Sequence, residues 1–267
     1  IQTDRDCAPQ RAITRLTYSD MALYASCGLG FRATRLWRLG SVPSFGPDDP
    51  KRFGEAVHAL MSLRLQPGRA LRDSAERIAR HYELRDEQGA RLVESAERIV
   101  GSRMWRDLAP DGDARTEVPF RFEIVAGDGE RGFTLSGALD LYVRREDEAV
   151  IVDYKTGTGG EEHELRERYL AQARCYALAA LRDGCTRVRL EFVRPEVPDE
   201  AGEPQRVSFA FDRADMEGIE AALMHVHARI NAGPYEPLRS WDPTVCGDCP
   251  IAGTMCPVPV PGRVWPS

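Results

Sequence analysis

The chain has 267 residues, a formal net charge of −6, 42% hydrophobic residues and 29% charged residues. That composition excludes a disordered, fibrous or low-complexity chain and leaves one large globular domain, or a domain carrying a helical insertion. No apolar run reaches membrane-spanning length and no secretory signal is visible, so no membrane partner is expected. The acidic balance counts mildly against a nucleic-acid binder. Charge distribution matters more than the sum, however, and basic residues cluster locally at Arg32, Arg35 and Arg38. The first residue is Ile, which suggests a processed chain or a domain cut from a longer protein. Seven cysteines (Cys7, Cys27, Cys175, Cys185, Cys246, Cys249 and Cys256) are an odd number without a signal peptide. They fit a reducing, cytoplasmic compartment better than a disulfide framework.

In chain order, residues 1–15 read as a loosely held lead-in. Leu16–Leu39 reads as a helical segment broken near Cys27-Gly28, with Ser19-Asp20 capping a helix from Met21. A Pro/Gly/Asp loop, Ser41–Pro50, precedes a helix over Arg52–Leu63 that carries His58. A lone helical His is more often structural. Gly68–Leu108 is helical, in two amphipathic stretches near Ala70–Tyr82 and Glu87–Arg106, and reads as an insertion of about 68–108 without chemistry of its own. After a turn at Pro110–Ala114, the segment T-E-V-P-F-R-F-E-I-V alternates as a strand beginning with Glu117.

The densest chemistry lies in Gly137–Thr156, GALDLYVRREDEAVIVDYKT. Phe133–Val143 and Ala149–Lys155 read as two strands of a hairpin joined across Arg144–Glu148. Side chains two apart on a strand share a face, so Asp153 and Lys155 project together with Tyr154 opposite. The hairpin brings Asp140 close to Asp153. Two adjacent carboxylates are costly to keep ionised unless a divalent cation neutralises them. A salt bridge on an exposed hairpin is the plainer alternative.

Beyond a Gly-rich loop, Thr156–Gly160, a long helix over Glu161–Asp183 carries Tyr169, Gln172 and Tyr176; Gln172 and Tyr176 share a face. Cys175 and Cys185 read as small buried hydrophobes. Strands are expected at Thr186–Arg194 and Val207–Phe211 around a Pro195–Pro204 loop. Asp212 then caps a helix to about Asn231, stopped by Gly233-Pro234. His225 and His227 receive no role. Cys246, Cys249 and Cys256 have C-x₂-C-x₆-C spacing, which points to metal. Cys27 is the expected fourth ligand. Spacing alone does not separate Zn²⁺ from a [4Fe–4S] cluster.

G-A-L-D followed by I-V-D-Y-K-T-G resembles the catalytic core of the PD-(D/E)XK nucleases, and more narrowly the RecB-like family. The likeness runs from about Leu16 to Pro257 and includes G-x-x-x-H-x-x-M around His58, E-V-P-F at Glu117 and Q-x-x-x-Y at Gln172 and Tyr176. It implies an α/β fold over residues 1–267, with a central mixed sheet of about five strands flanked by helices and a Cys-rich tail at 240–267. It also implies a Mg²⁺- or Mn²⁺-dependent deoxyribonuclease. Asp140 and Asp153 would bind metal with His58 and the Tyr154 carbonyl, Glu117 would support them, and Lys155 would orient or activate the attacking water. Gln172 would hydrogen-bond DNA or the Lys, and Tyr176 would contact phosphate or stack on a base.

One Cys before the core and three after it are similar to the [4Fe–4S] ligands of AddB-like nucleases. Such a cluster would staple the chain's ends together. The expected protein is the nuclease module, an exonuclease, of a bacterial helicase–nuclease acting on DNA ends in double-strand-break repair. Its ATPase motor lies outside this chain, which has no G-x-x-x-x-G-K-[ST] motif. The alternatives are a free-standing nuclease of the CRISPR-adaptation type and a catalytically retired DNA-binding module.

Overall fold

The computed structural model describes residues 12–40, 50–108, 113–125, 132–157 and 160–261. Its elements are β1 (Arg15–Thr17), α1 (Tyr18–Ser26), α2 (Gly28–Phe31), a π-helical turn (Arg32–Leu36), α3 (Pro50–Ser62), α4 (Arg69–His81), α5 (Asp86–Gly101), α6 (Arg103–Leu108), β2 (Ala114–Ile124), β3 (Phe133–Arg145), β4 (Glu148–Tyr154), α7 (Glu162–Arg182), β5 (Arg187–Pro198), β6 (Pro204–Asp212), a 3₁₀ turn (Arg213–Asp215), α8 (Met216–Ala232) and α9 (Pro243–Cys246). The fold is α/β with a mixed sheet in the order β1-β3-β4-β5-β6, and β2 also pairs with β3. The chain forms two compact units: Ile1–Ser44 with Arg121–Gly137 and Gly218–Ser267, and Phe45–Phe120 with Ala138–Glu217.

In the second unit the sheet is built from ladders of both senses. β3 and β4 pair antiparallel from Leu141↔Val152 to Arg145↔Glu148. The turn between them is only Glu146 and Asp147, tighter than the Arg144–Glu148 loop expected from sequence. Glu146 adopts φ 54°, the left-handed conformation that a two-residue hairpin turn demands. β4 and β5 run parallel over the full length of β4, and β5 and β6 are antiparallel. β5 runs on to Pro198 and β6 starts at Pro204, so the two strands take up half of the expected Pro195–Pro204 loop.

Alternation gives this part of the sheet two apolar faces. One carries Leu141, Val143, Val150, Val152 and Tyr154, which share a core with Phe53 and Leu60 of α3, Leu92 and Ile99 of α5, and Trp105 of α6. Each large side chain buried there contributes about 1.5–3 kcal/mol. The expected insertion, 68–108, is therefore part of this core. Its second stretch is broken at Ser102, whose hydroxyl accepts from Trp105 N at 3.1 Å and donates to Ile99 O at 2.6 Å. α7 packs against β5 and β6.

In the first unit, β1 pairs in parallel with the start of β3, Leu16 opposite Leu135. Thr17, rather than Ser19 or Asp20, caps α1: its hydroxyl accepts from Asp20 N, and the Asp20 carboxylate accepts from Thr17 N at 2.8 Å. This reciprocal pairing satisfies two otherwise orphaned amides and starts the helix three residues earlier than expected. Asp20 also takes Arg35 at 2.8 Å. His227 is structural: its Nε2 meets Ile13 O at 2.7 Å and its ring stacks on Phe133 at 4.6 Å. The 3₁₀ turn ahead of α8 is capped by Asp212, as expected.

Cys27 ends α1 and starts α2, its Sγ accepting from Gly30 N at 3.2 Å. Gly28 follows because a Cβ there would lie 2.9 Å from Glu236 N and 3.0 Å from Tyr235 Cα. The chain closes this contact with a hydrogen bond from Leu29 N to Glu236 O, 3.0 Å. Gly28→Ala is expected to lower stability by about 1–3 kcal/mol through backbone displacement, read as a lower denaturation midpoint at unchanged slope.

Candidate active site

Asp140 and Asp153 sit one step beyond the last paired residues of the β3–β4 hairpin, Leu141↔Val152. Residues opposed across a ladder share a face, so the pairing brings two carboxylates to one place. Both are buried, with exposures of 8% and 3%. Asp140 Oδ2 accepts from the backbone N–H of Tyr154 at 2.9 Å, so a side chain takes the place of a ladder acceptor. The same oxygen lies 3.1 Å from His58 Nδ1.

His58 reaches this point from α3. Gly54, one turn earlier on the same helix face, would place a Cβ 3.3 Å from Thr156 Oγ1, which accounts for the small residue in G-x-x-x-H. Glu117 arrives from β2. Its φ is 51°, inside a strand, a conformation that costs a non-glycine residue of order 1–3 kcal/mol and that clusters at functional sites. One ligand atom from each of His58, Glu117 and Asp140 falls within 4.8 Å of the other two. His58 and Glu117 border an open cleft of about 540 Å³ that also includes Lys51, Tyr82 and Thr156.

Asp153 is held from the other side. Its Oδ2 accepts from Gln172 Nε2 at 3.0 Å and from Tyr176 OH at 3.2 Å, while Gln172 Nε2 also lies 2.7 Å from Tyr176 OH. Lys155 Nζ lies 2.5 Å from Oδ1, an ionic contact without the alignment of a directed hydrogen bond. Tyr176 is itself buried, with Phe120 edge-on at 6.0 Å, so in this arrangement its ring has no open face for a base. Gln172 meets Asp153 directly, where sequence pointed to DNA or the lysine. Tyr169, one turn before Gln172, and Phe192 of β5 lie beside Lys155. Their proximity was not foreseen, although the i, i+3 spacing from Tyr169 to Gln172 marks one helix face.

The electrostatics match the crowding. Burial pushes the Asp153 carboxyl up to about 6, with Lys155 opposing the rise and Asp140 adding to it. Burial alone would lower His58, but hydrogen bonding and charge from Asp140, with Asp153, raise it overall. Burial and Asp140 also raise Glu117. Burial holds the Tyr154 phenol well above its ordinary value; the ring packs edge-on to His58 at 6.1 Å and its hydroxyl is buried. Asp153, His58 and Glu117 thus each tend to retain a proton without a counter-charge, a conflict that a divalent cation relieves.

The cysteines form a second site, wholly within the first unit. Cys27, Cys246, Cys249 and Cys256 line one apolar chamber with Leu238 and Ile251. None of the six described cysteines is in a disulfide. Burial raises the Cys249 thiol, and Cys27 and Cys256 add to the rise. Among the described residues no three of these sulfurs lie within 4.8 Å of one another, and the chamber they line is about 10 Å³. Cys175 and Cys185 are fully buried, as expected, and burial raises Cys175 to about 12.

The chain matches the PD-(D/E)XK nuclease superfamily over residues 15–257 and belongs to it. Nucleases of this superfamily use divalent metals, and the His58, Glu117 and Asp140 group offers a place for one. The chain is also similar to an ATP-dependent helicase/nuclease protein of Streptococcus thermophilus (strain ATCC BAA-491 / LMD-9), with 31% identity over 146 residues. That stretch is 52% of this chain and 12% of that protein. Among solved structures, the crystal structure of SSO0001 aligns over 93% of this chain and 88% of its own, with a TM-score of 0.44 and 13% identity. No helix among the described residues is long and apolar enough to cross a membrane.

The folded-state value of Asp153 exceeds the ordinary 3.8, so its ionisation works against folding and metal-free stability falls as pH rises through the interval between the two values. Asp153→Asn is expected to raise the melting temperature in excess chelator above about pH 6 and to give no gain below about pH 4. Thermal melts across that range check it.

Proposed function

We propose that the chain is a Mg²⁺- or Mn²⁺-dependent deoxyribonuclease domain, and that it serves as the nuclease module of a helicase–nuclease that processes DNA ends. The observation that carries the reading is the convergence of His58, Glu117 and Asp140 within ligand reach, beside an Asp153–Lys155 pair. Asp140, Glu117 and His58 would hold the metal, with Asp153 completing the set once its carboxylate is ionised. A divalent ion there would lower the pKa of a bound water and stabilise charge on the phosphoryl group. Lys155 orients the attacking water and meets developing negative charge. Gln172 and Tyr176 fix the rotamer of Asp153 through its Oδ2, which leaves Oδ1 directed at Lys155. The open cleft beside His58 gives a phosphodiester strand room to approach.

The helicase–nuclease context is supported by the similarity to the streptococcal helicase/nuclease, and the motor would then lie outside this chain. Exonuclease action on DNA ends follows from that context, as does a cytoplasmic setting. A [4Fe–4S] cluster on Cys27, Cys246, Cys249 and Cys256 is supported by four thiol positions around one apolar chamber.

On end-labelled single-stranded DNA with Mg²⁺ or Mn²⁺, the native chain is expected to cleave. Lys155→Ala and Asp140→Asn should each lose about 10²-fold or more. Full activity in either variant would sink the assignment of this site. Chain purified without oxygen is expected to contain about four irons, and Cys249→Ser to lose them along with thermal stability. Zinc in their place would overturn the cluster.

A further inference from the structure

Lys155 is the first residue after β4, and its backbone is fixed by a hydrogen bond from its N–H to Val193 O at 2.8 Å. The next loop residues are fixed as well: the buried Arg194 donates to Gly157 O at 2.9 Å, and Gly157 N donates to Glu196 Oε2 at 2.6 Å. The chain therefore enters and leaves Lys155 under restraint. The side chain, with its flexible four-carbon stem, still needs support of its own to keep an ammonium at one point.

That support is an aromatic pair. Lys155 Nζ lies 5.4 Å from the ring centroid of Phe192 and 5.7 Å from that of Tyr169, both inside the range in which a ring quadrupole attracts a cation. The two rings stack on each other at 4.8 Å with an interplanar angle of 24°, and Phe209 closes edge-on against Phe192 at 5.7 Å. Phe192 is fully buried and Tyr169 nearly so. Their placement follows from topology. Phe192 is the register partner of Asp153 on β5, and Tyr169 lies on the α7 face that also presents Gln172 and Tyr176. One helix face thus holds the carboxylate through Gln172 and Tyr176 and the ammonium through Tyr169.

We infer that Tyr169 and Phe192 are positioning residues for Lys155: the stacked pair fixes the ammonium at Asp153 by cation–π attraction and so sets the turnover rate without touching substrate. This rests on Lys155 orienting the attacking water. A structural aromatic core alone would require only volume, whereas positioning requires the ring quadrupole.

The test is single-turnover and steady-state cleavage by the full chain. Tyr169→Phe keeps the ring and should stay within about twofold of native, while Tyr169→Leu should lose about tenfold in kcat with KM within about twofold. Because Phe192→Leu also alters packing, position 192 is tested with mono-, di- and trifluorinated phenylalanine, which keep shape and weaken the quadrupole stepwise. A stepwise fall in kcat at unchanged KM and unchanged melting temperature is expected. Native kcat in the trifluorinated protein, with Lys155→Ala inactive, would overturn the inference and leave the nuclease reading standing. Native kcat in Lys155→Ala would remove the reading beneath it.

Discussion

A carboxylate at position 153 with 3% of its surface exposed is the constraint that the neighbouring residues answer. An ionised group so deeply placed is unfavourable unless each oxygen has a partner. The partners come from two directions. Gln172 and Tyr176 cap one oxygen, Lys155 lies against the other, and even so the carboxyl stays protonated more readily than an ordinary aspartate. The protein keeps an electrostatic conflict that apolar residues of similar volume would remove. Such conflicts concentrate where charge is to be bound, and they turn a metal ion into a stabilising ligand.

The elements around this point carry traces of the same demand. Glu117 holds a left-handed backbone within β2, and its carboxylate comes within ligand reach of Asp140 and His58. Gly54 keeps α3 close to Thr156. Asp140 stands in for a backbone acceptor at the end of a ladder. Each is locally unfavourable or restrictive, and each is compensated by the apolar core that α3, α5 and α6 form on the sheet.

The first unit has a different character. Its chemistry is thiol rather than carboxylate, and its local restraint is steric. Gly28 lets the backbone after Cys27 meet the backbone at Tyr235–Glu236, so residues far apart in sequence are neighbours.

Much of the candidate site was legible along the chain because its residues recur at short, regular spacing. Asp153 and Lys155 alternate on one strand, Gln172 and Tyr176 share one helix face, and the hairpin places Asp140 opposite Asp153. The helix carrying His58, the α/β class and the set of four cysteines were also readable, as was the likeness to PD-(D/E)XK nucleases. The bounds of the strands were not, since the extent of β5 and β6 depends on mutual pairing. Nor were the cap on Thr17, the two-residue turn at Glu146–Asp147 and the partner that Tyr176 actually takes. Phe192 beside Lys155 was beyond reach for the same reason: β5 meets β4 only through the parallel register of a crossover, which no local periodicity encodes. Sequence by itself determined which groups could do the chemistry, because their spacing is a property of single elements. Tertiary structure alone decided which of them are buried, which charge faces which, and which ring supports the lysine, because those depend on how the elements pack.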